Sequence, residues 1–139
     1  VIVLDAGAFI EVLLRSEAGA GVGELMRSSD VSVPAIFDAE VFSVLTLGEK
    51  QGRLAPAAVD AALGLLVDAP VTRFPLPSLL GVARGYIQAV SGYDAFYVAL
   101  AALLRCPLVT TDARLAATAT SQFRLTVTHV PTSGRSRSG

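Results

Sequence analysis

Val1-Ile2-Val3-Leu4-Asp5 opens the chain with an apolar run closed by an acid. A run with no polar alternation reads as a short strand covered on both faces, as in parallel sheets sandwiched by helices. Pro107-Leu108-Val109-Thr110 repeats the pattern and leads through Thr111 to Asp112. Val31-Ser32-Val33 (closed by Pro34), Val71-Thr72-Arg73-Phe74 and Val127-Thr128-His129-Val130 are further short β segments. Helical patterns separate them: Ala8–Arg15, Gly19–Ser28, Ala35–Gln51 with Gly52 as its stop, and Pro56–Val67 entered at an N1 proline. Ser78–Val90, the strongly apolar Ser91–Leu104 and about Asp112–Thr118 follow. This alternation predicts an α/β domain over residues 1–131, with a central parallel sheet of four or five short strands and right-handed crossovers. Thr132–Gly139, rich in Ser, Gly and Arg, is predicted to be a disordered tail.

A chain of 139 residues is enough for one domain with a sizeable core. The hydrophobic content of 53% and mean hydropathy of +0.60 are high. A membrane span would need about 20 uncharged apolar residues, and the longest uncharged apolar run, Ala95–Leu104, is about half that. The apolar surplus must therefore cover a core, a partner interface, or both. No basic leader or cleavage site precedes the first strand, so no secretion signal is expected. Cys106 is the single cysteine, which excludes an internal disulfide and suits a reducing cytoplasm. A net charge of −1 speaks against a passive nucleic-acid binder. Any such affinity would come from local patches, from Arg135 and Arg137 in the tail, or from metal ions that reverse the sign of an acidic site.

Sites in open α/β sheets form beyond the C-terminal ends of strands. Asp5 and Asp112 each follow a strand, and Asp94 falls in the first turn of the apolar helix. Each could instead serve its helix start, Asp5 and Asp112 as N-caps and Asp94 within a capping box begun by Ser91. An acid inside the Ala35–Gln51 helix has no such reading. Asp38 and Glu40 flank its apolar face on opposite sides, and periodicity does not choose between them. At least one of them is expected to be partly buried and to need a partner, either a metal or an arginine from across the sheet; the alternative is a simple solvated rim.

These residues resemble the PIN domains, and more narrowly the VapC toxins of VapBC toxin–antitoxin modules. The resemblance is carried by Val1-Ile2-Val3-Leu4-Asp5-Ala6, by Pro34-Ala35 with Asp38-Ala39-Glu40-Val41, by Tyr93-Asp94-Ala95-Phe96-Tyr97-Val98-Ala99-Leu100-Ala101, and by Pro107 to Leu115. It implies a three-layer α/β/α fold and places the family's metal-binding acids on Asp5, Glu40, Asp94 and Asp112, choosing Glu40 over Asp38. Thr110 matches a supporting polar residue. Gly7 departs from the pattern, since the family often has a Ser or Thr two residues after the first acid.

The resemblance further implies a cytoplasmic endoribonuclease toxin dependent on Mg²⁺ or Mn²⁺, ions that favour oxygen ligands and activate water. It implies cleavage of structured RNA such as tRNA or rRNA, a cognate VapB antitoxin bound near the first helices, and a homodimer. His129 and Cys106 read as structural rather than catalytic. A haloacid-dehalogenase phosphatase would need an acid where Gly7 stands, and a response-regulator receiver a lysine after a late strand, whereas Lys50 lies on a helix. The remaining competitor is a PIN-like interaction module with little nuclease activity.

Overall fold

The computed structural model describes residues 1–133; most of the expected tail, including Arg135 and Arg137, lies outside them. The order is β1 (Ile2–Leu4), α1 (Ala6–Leu13), α2 (Glu17–Ser28), β2 (Val31–Pro34), α3 (Phe37–Lys50), α4 (Pro56–Val67) and β3 (Val71–Phe74). Then come α5 (Leu80–Arg84), α6 (Gly92–Leu104), β4 (Leu108–Thr110), α7 (Ala113–Ser121) and β5 (Val127–His129).

All five strands are parallel, in the order β3-β2-β1-β4-β5. The chain thus runs outward from β1 through β2 to β3, then returns to lay β4 on the other side of β1. That reversal creates a crevice between the C-terminal ends of β1 and β4. Right-handed crossovers put the helices of the outward and return runs on opposite faces of the sheet. β1, β2 and β4 are buried along their whole length, as continuous apolar strands between two helix layers should be. The edge strands β3 and β5 are only half-buried.

Two helices begin earlier than periodicity predicts, because caps rather than apolar spacing set their starts. Asp5 accepts from the Ala8 amide at 2.8 Å and starts α1 at Ala6. Ser16 accepts from the Gly19 amide at 3.0 Å and starts α2 at Glu17. At the corner between these helices, a Cβ on Gly19 would lie 2.1 Å from the Glu11 carbonyl oxygen, so only glycine fits. Phe9 and Phe37 pack with ring centroids 5.3 Å apart and tie α1 to α3.

The single helix expected over Ser78–Val90 is not formed. A 3₁₀ turn at Leu76–Ser78 and the short α5 replace it, and Tyr86 and Ala89 continue in tight turns bonded to Ala83 and Tyr86. Pro75 and Pro77 withhold amides at the entry, and Gly81 and Gly85 weaken helix propagation.

Among the described residues no helix is long and apolar enough to cross a membrane. The apolar surplus goes partly to the core, where Tyr97, Phe37, Leu45 and Leu100 are fully buried. The rest surfaces largely on α3 and α4, where Phe42, Val44, Leu47, Leu65 and Val67 are exposed; near the first helices the large exposed side chain is Leu14.

Candidate active site

Asp5 leaves β1 at the crevice and is 8% exposed. Its Oδ1 caps α1, and its Oδ2 accepts from the Thr110 hydroxyl at the end of β4. Burial pushes its carboxyl up to about 6, against the opposing effect of the Thr110 and Ala8 hydrogen bonds; Asp94 and Asp112 add repulsion. Thr110 is fully buried, and its hydroxyl oxygen also accepts from the Asp112 amide at 3.0 Å. One hydroxyl therefore fixes the first acid and the backbone of the last.

Asp112 is exposed and caps α7, accepting from the amides of Arg114 and Leu115 at 2.9 and 3.1 Å. Asp94 is half-buried and accepts from the Ser91 hydroxyl at 3.0 Å. Burial raises its carboxyl, the Ser91 bond opposes this, and Asp112 adds to it. Asp5 and Asp112 thus do cap their helices, whereas the capping box expected at Ser91 and Asp94 does not form, since Ser91 makes no side-chain cap and meets only the Asp94 carboxylate; repulsion links Asp94 and Asp112 to Asp5. Asp94 and Asp112 line a shared cleft of about 380 Å³ with Arg114.

Glu40 and Asp38 part company. Asp38 receives a two-pronged contact from Arg73 on β3, at 2.8 and 3.0 Å, and Arg73 also donates to the Leu66 carbonyl. It is the arginine expected as a partner for an acid on this helix, although the Asp38 side chain it meets is 42% exposed. Glu40 has no arginine. Its Oε1 accepts from the Tyr97 hydroxyl at 2.6 Å. Burial raises its carboxyl, the Tyr97 bond opposes that, and Asp94 adds repulsion. Glu40 also lines a separate, largely apolar cavity of about 320 Å³ with Ile36, Ala39, Ser43, Val44 and Tyr93.

Tyr97 is the residue that sequence reasoning passed over. It lies one turn after Asp94 on α6 and is fully buried. Its hydroxyl is pushed well above the usual phenol range by burial, by its bond to Glu40, and by the nearby charges of Glu40, Asp5 and Asp94. The i, i+3 spacing that puts it on the face of Asp94 was the available signal. Cys106 is buried in the core, and His129 is exposed on the edge strand β5.

Electrostatic repulsion links Asp5, Asp94 and Asp112 to one another and Glu40 to Asp94, but the four acids are not a finished coordination shell. Among the described residues, no three acids, histidines or cysteines already form a metal-ligand group. What fits a hard divalent cation is the donor set: all oxygen, acidic, and in three of four members burdened by burial and mutual repulsion that a cation would relieve.

A family model described as PIN domain matches residues 2–120. Ribonuclease VapC3 of Mycobacterium tuberculosis is 41% identical over 116 residues, 83% of this chain and 85% of that protein. Ribonuclease VapC9 of the same species is 36% identical over 126 residues, 91% and 97% of the two chains. Among solved structures, FitAcB from Neisseria gonorrhoeae superposes with a TM-score of 0.61 at 20% identity, covering 91% of this chain and 96% of that one. Mycobacterium tuberculosis VapC20, described as a sarcin–ricin loop cleaving toxin, gives 0.63 at 15% identity over 85% and 95%. At such identities the two structural likenesses show the fold alone.

Proposed function

The chain belongs to the PIN-domain family, among its VapC ribonucleases, and from that premise we propose that it is a metal-dependent endoribonuclease toxin that cuts structured RNA and is held in check by a VapB-type antitoxin. The observation that supports the reading is the chain of coupling among Asp5, Asp94 and Asp112, extended to Glu40 through Asp94 and Tyr97 and tied at Asp5 and Asp112 by Thr110.

Mg²⁺ or Mn²⁺ held by these carboxylates would neutralise phosphate charge and make water a better nucleophile. The chain's own residues do the rest. One of the carboxylates not taken up by the ion would accept a proton from the attacking water. Thr110 keeps Asp5 in register with Asp112, and Tyr97 holds Glu40 toward the crevice. Arg114, in the cleft with Asp94 and Asp112, offers a guanidinium to an RNA phosphate. Phosphodiester hydrolysis by this route leaves a 5′-phosphate and a 3′-hydroxyl.

The exposed apolar side chains of α3 and α4 support an antitoxin contact or a homodimer on that face. The lack of a ready-made three-ligand group among the described residues favours a second reading, an interaction module with weak catalysis. Cleavage of structured RNA with and without EDTA, wild type against Asp94→Asn, separates the two. Metal-dependent cutting abolished by Asp94→Asn supports the nuclease. Equal activity of the two proteins, or products bearing 2′,3′-cyclic phosphates, refutes it.

A further inference from the structure

The end of β4 carries two threonine hydroxyls, and they are used differently. The Thr110 hydroxyl is committed, donating to Asp5 and accepting from the Asp112 amide. The Thr111 hydroxyl has no hydrogen-bond partner among the described residues. Its position is nonetheless defined. A Cβ placed on Gly7 would meet Thr111 Oγ1 at 3.4 Å and Asp5 Oδ1 at 3.7 Å. The three groups thus surround one small space at the mouth of the crevice. Gly7 is exposed and Thr111 half-exposed, so the space is open to water. One side of it is the Asp5 carboxylate, and the other is a hydroxyl free to donate.

We propose that Thr111 is a positioning residue of the active site: its hydroxyl reaches over Gly7 and hydrogen-bonds the attacking water against Asp5. The inference rests on the nuclease reading and deepens it. It also accounts for the glycine. A hydroxyl-bearing side chain at position 7 would occupy the same space and face the same oxygen, so position 7 and position 111 are alternative sources of one hydroxyl. The backbone at Gly7 does not demand glycine, since it lies in the first turn of α1 without a positive φ. The 3.4 Å contact is ordinary van der Waals spacing, so a serine can be accommodated there.

The test uses Thr111→Ala, Thr111→Ser and the double variant Gly7→Ser/Thr111→Ala, with Asp94→Asn as the inactive reference. Two quantities are read: RNA cleavage, split into kcat and KM, and Mn²⁺ affinity by calorimetry. Thr111→Ala should lower kcat about 10-fold or more with KM nearly unchanged, and weaken Mn²⁺ binding several-fold, as loss of an outer hydrogen bond around a metal site does. Thr111→Ser should recover both. So should Gly7→Ser/Thr111→Ala, a rescue that a merely structural role for Thr111 would not produce. Wild-type behaviour of Thr111→Ala in both measurements, or a loss that neither partner variant recovers, overturns the inference while leaving the nuclease reading intact. Undiminished cleavage by Asp94→Asn would instead remove that reading and this inference with it.

Discussion

The Tyr97 hydroxyl donates a 2.6 Å hydrogen bond to Glu40 Oε1, joining α6 to α3 across 57 positions of sequence. It is the contact that turns Glu40 from a helix-face acid into a member of the crevice, and it opposes the rise that burial imposes on that carboxyl. Tyr97→Phe keeps the ring and removes the donor. The Glu40 carboxyl should then rise further, moving the acid limb of the pH–rate profile to higher pH. Stability should fall by about 1–2 kcal/mol, the cost of a buried hydrogen bond lost on one side. Urea denaturation and a pH–rate profile check the two effects, and an unmoved acid limb would deny Glu40 its place in the reaction.

Asp38 supplies the contrast. Its pair with Arg73 is 31% exposed on the arginine side and 42% on the carboxylate side, so solvent weakens it. Asp38→Ala should cost about 1 kcal/mol or less and leave cleavage within about twofold of wild type. Glu40→Ala should have the opposite profile, with activity lost and the fold kept. Parallel denaturation and cleavage measurements on the two variants decide this, and interchanged results would return the choice to Asp38.

The raised Asp5 carboxyl makes a prediction of definite sign for the metal-free protein. With a folded value of about 6 against an ordinary 3.8, the native state binds more protons than the unfolded state between these limits. Stability therefore declines as pH rises through that window, by as much as about 3 kcal/mol from this group alone. Glu40 and Asp94, also raised, act in the same direction. The urea midpoint of metal-free protein should climb as pH falls from 7 toward 5. Asp5→Asn should flatten that dependence, and Mg²⁺ should raise the midpoint at pH 7 by binding the native state. A midpoint that drops over the same acidification would contradict the burial of Asp5.

Gly19 tests the corner between α1 and α2. A methyl group there meets backbone, the Glu11 carbonyl at 2.1 Å, and no side chain can step aside. Gly19→Ala should destabilise by about 3 kcal/mol or more, in the range of severe overpacking. Thermal melting would show it, and a melting point within about two degrees of wild type would mean the corner opens easily.

Much of the fold was legible because its strands are short, apolar and uninterrupted, and because helices alternate with them. Helix starts were less so, since Asp5 and Ser16 cap from outside the apolar pattern and extend α1 and α2 backward. The Ser78–Val90 segment misled because its apolar spacing is helical while its prolines and glycines are not. At the site, strand ends located Asp5 and Asp112 as crevice residues. The choice between Asp38 and Glu40 was hidden from periodicity and came only with the family resemblance, because it depends on Arg73 and Tyr97, which reach α3 from distant parts of the chain. Tyr97 itself disappeared into an apolar helix, and Thr111 among ordinary loop hydroxyls.

The bond between Asp5 and Thr110 has a consequence for how the protein is made. Its two ends lie 105 residues apart, so the first acid waits for nearly the whole domain before it acquires its partner. Synthesis proceeds from the N-terminus, and β4, with Thr110 and Asp112 behind it, emerges late. A nascent chain still threaded through the ribosome with β4 in the exit tunnel carries Asp5, Glu40 and Asp94 but cannot close the crevice around them. The order of translation thus sets the Asp5–Thr110 pairing among the last contacts that the domain can make.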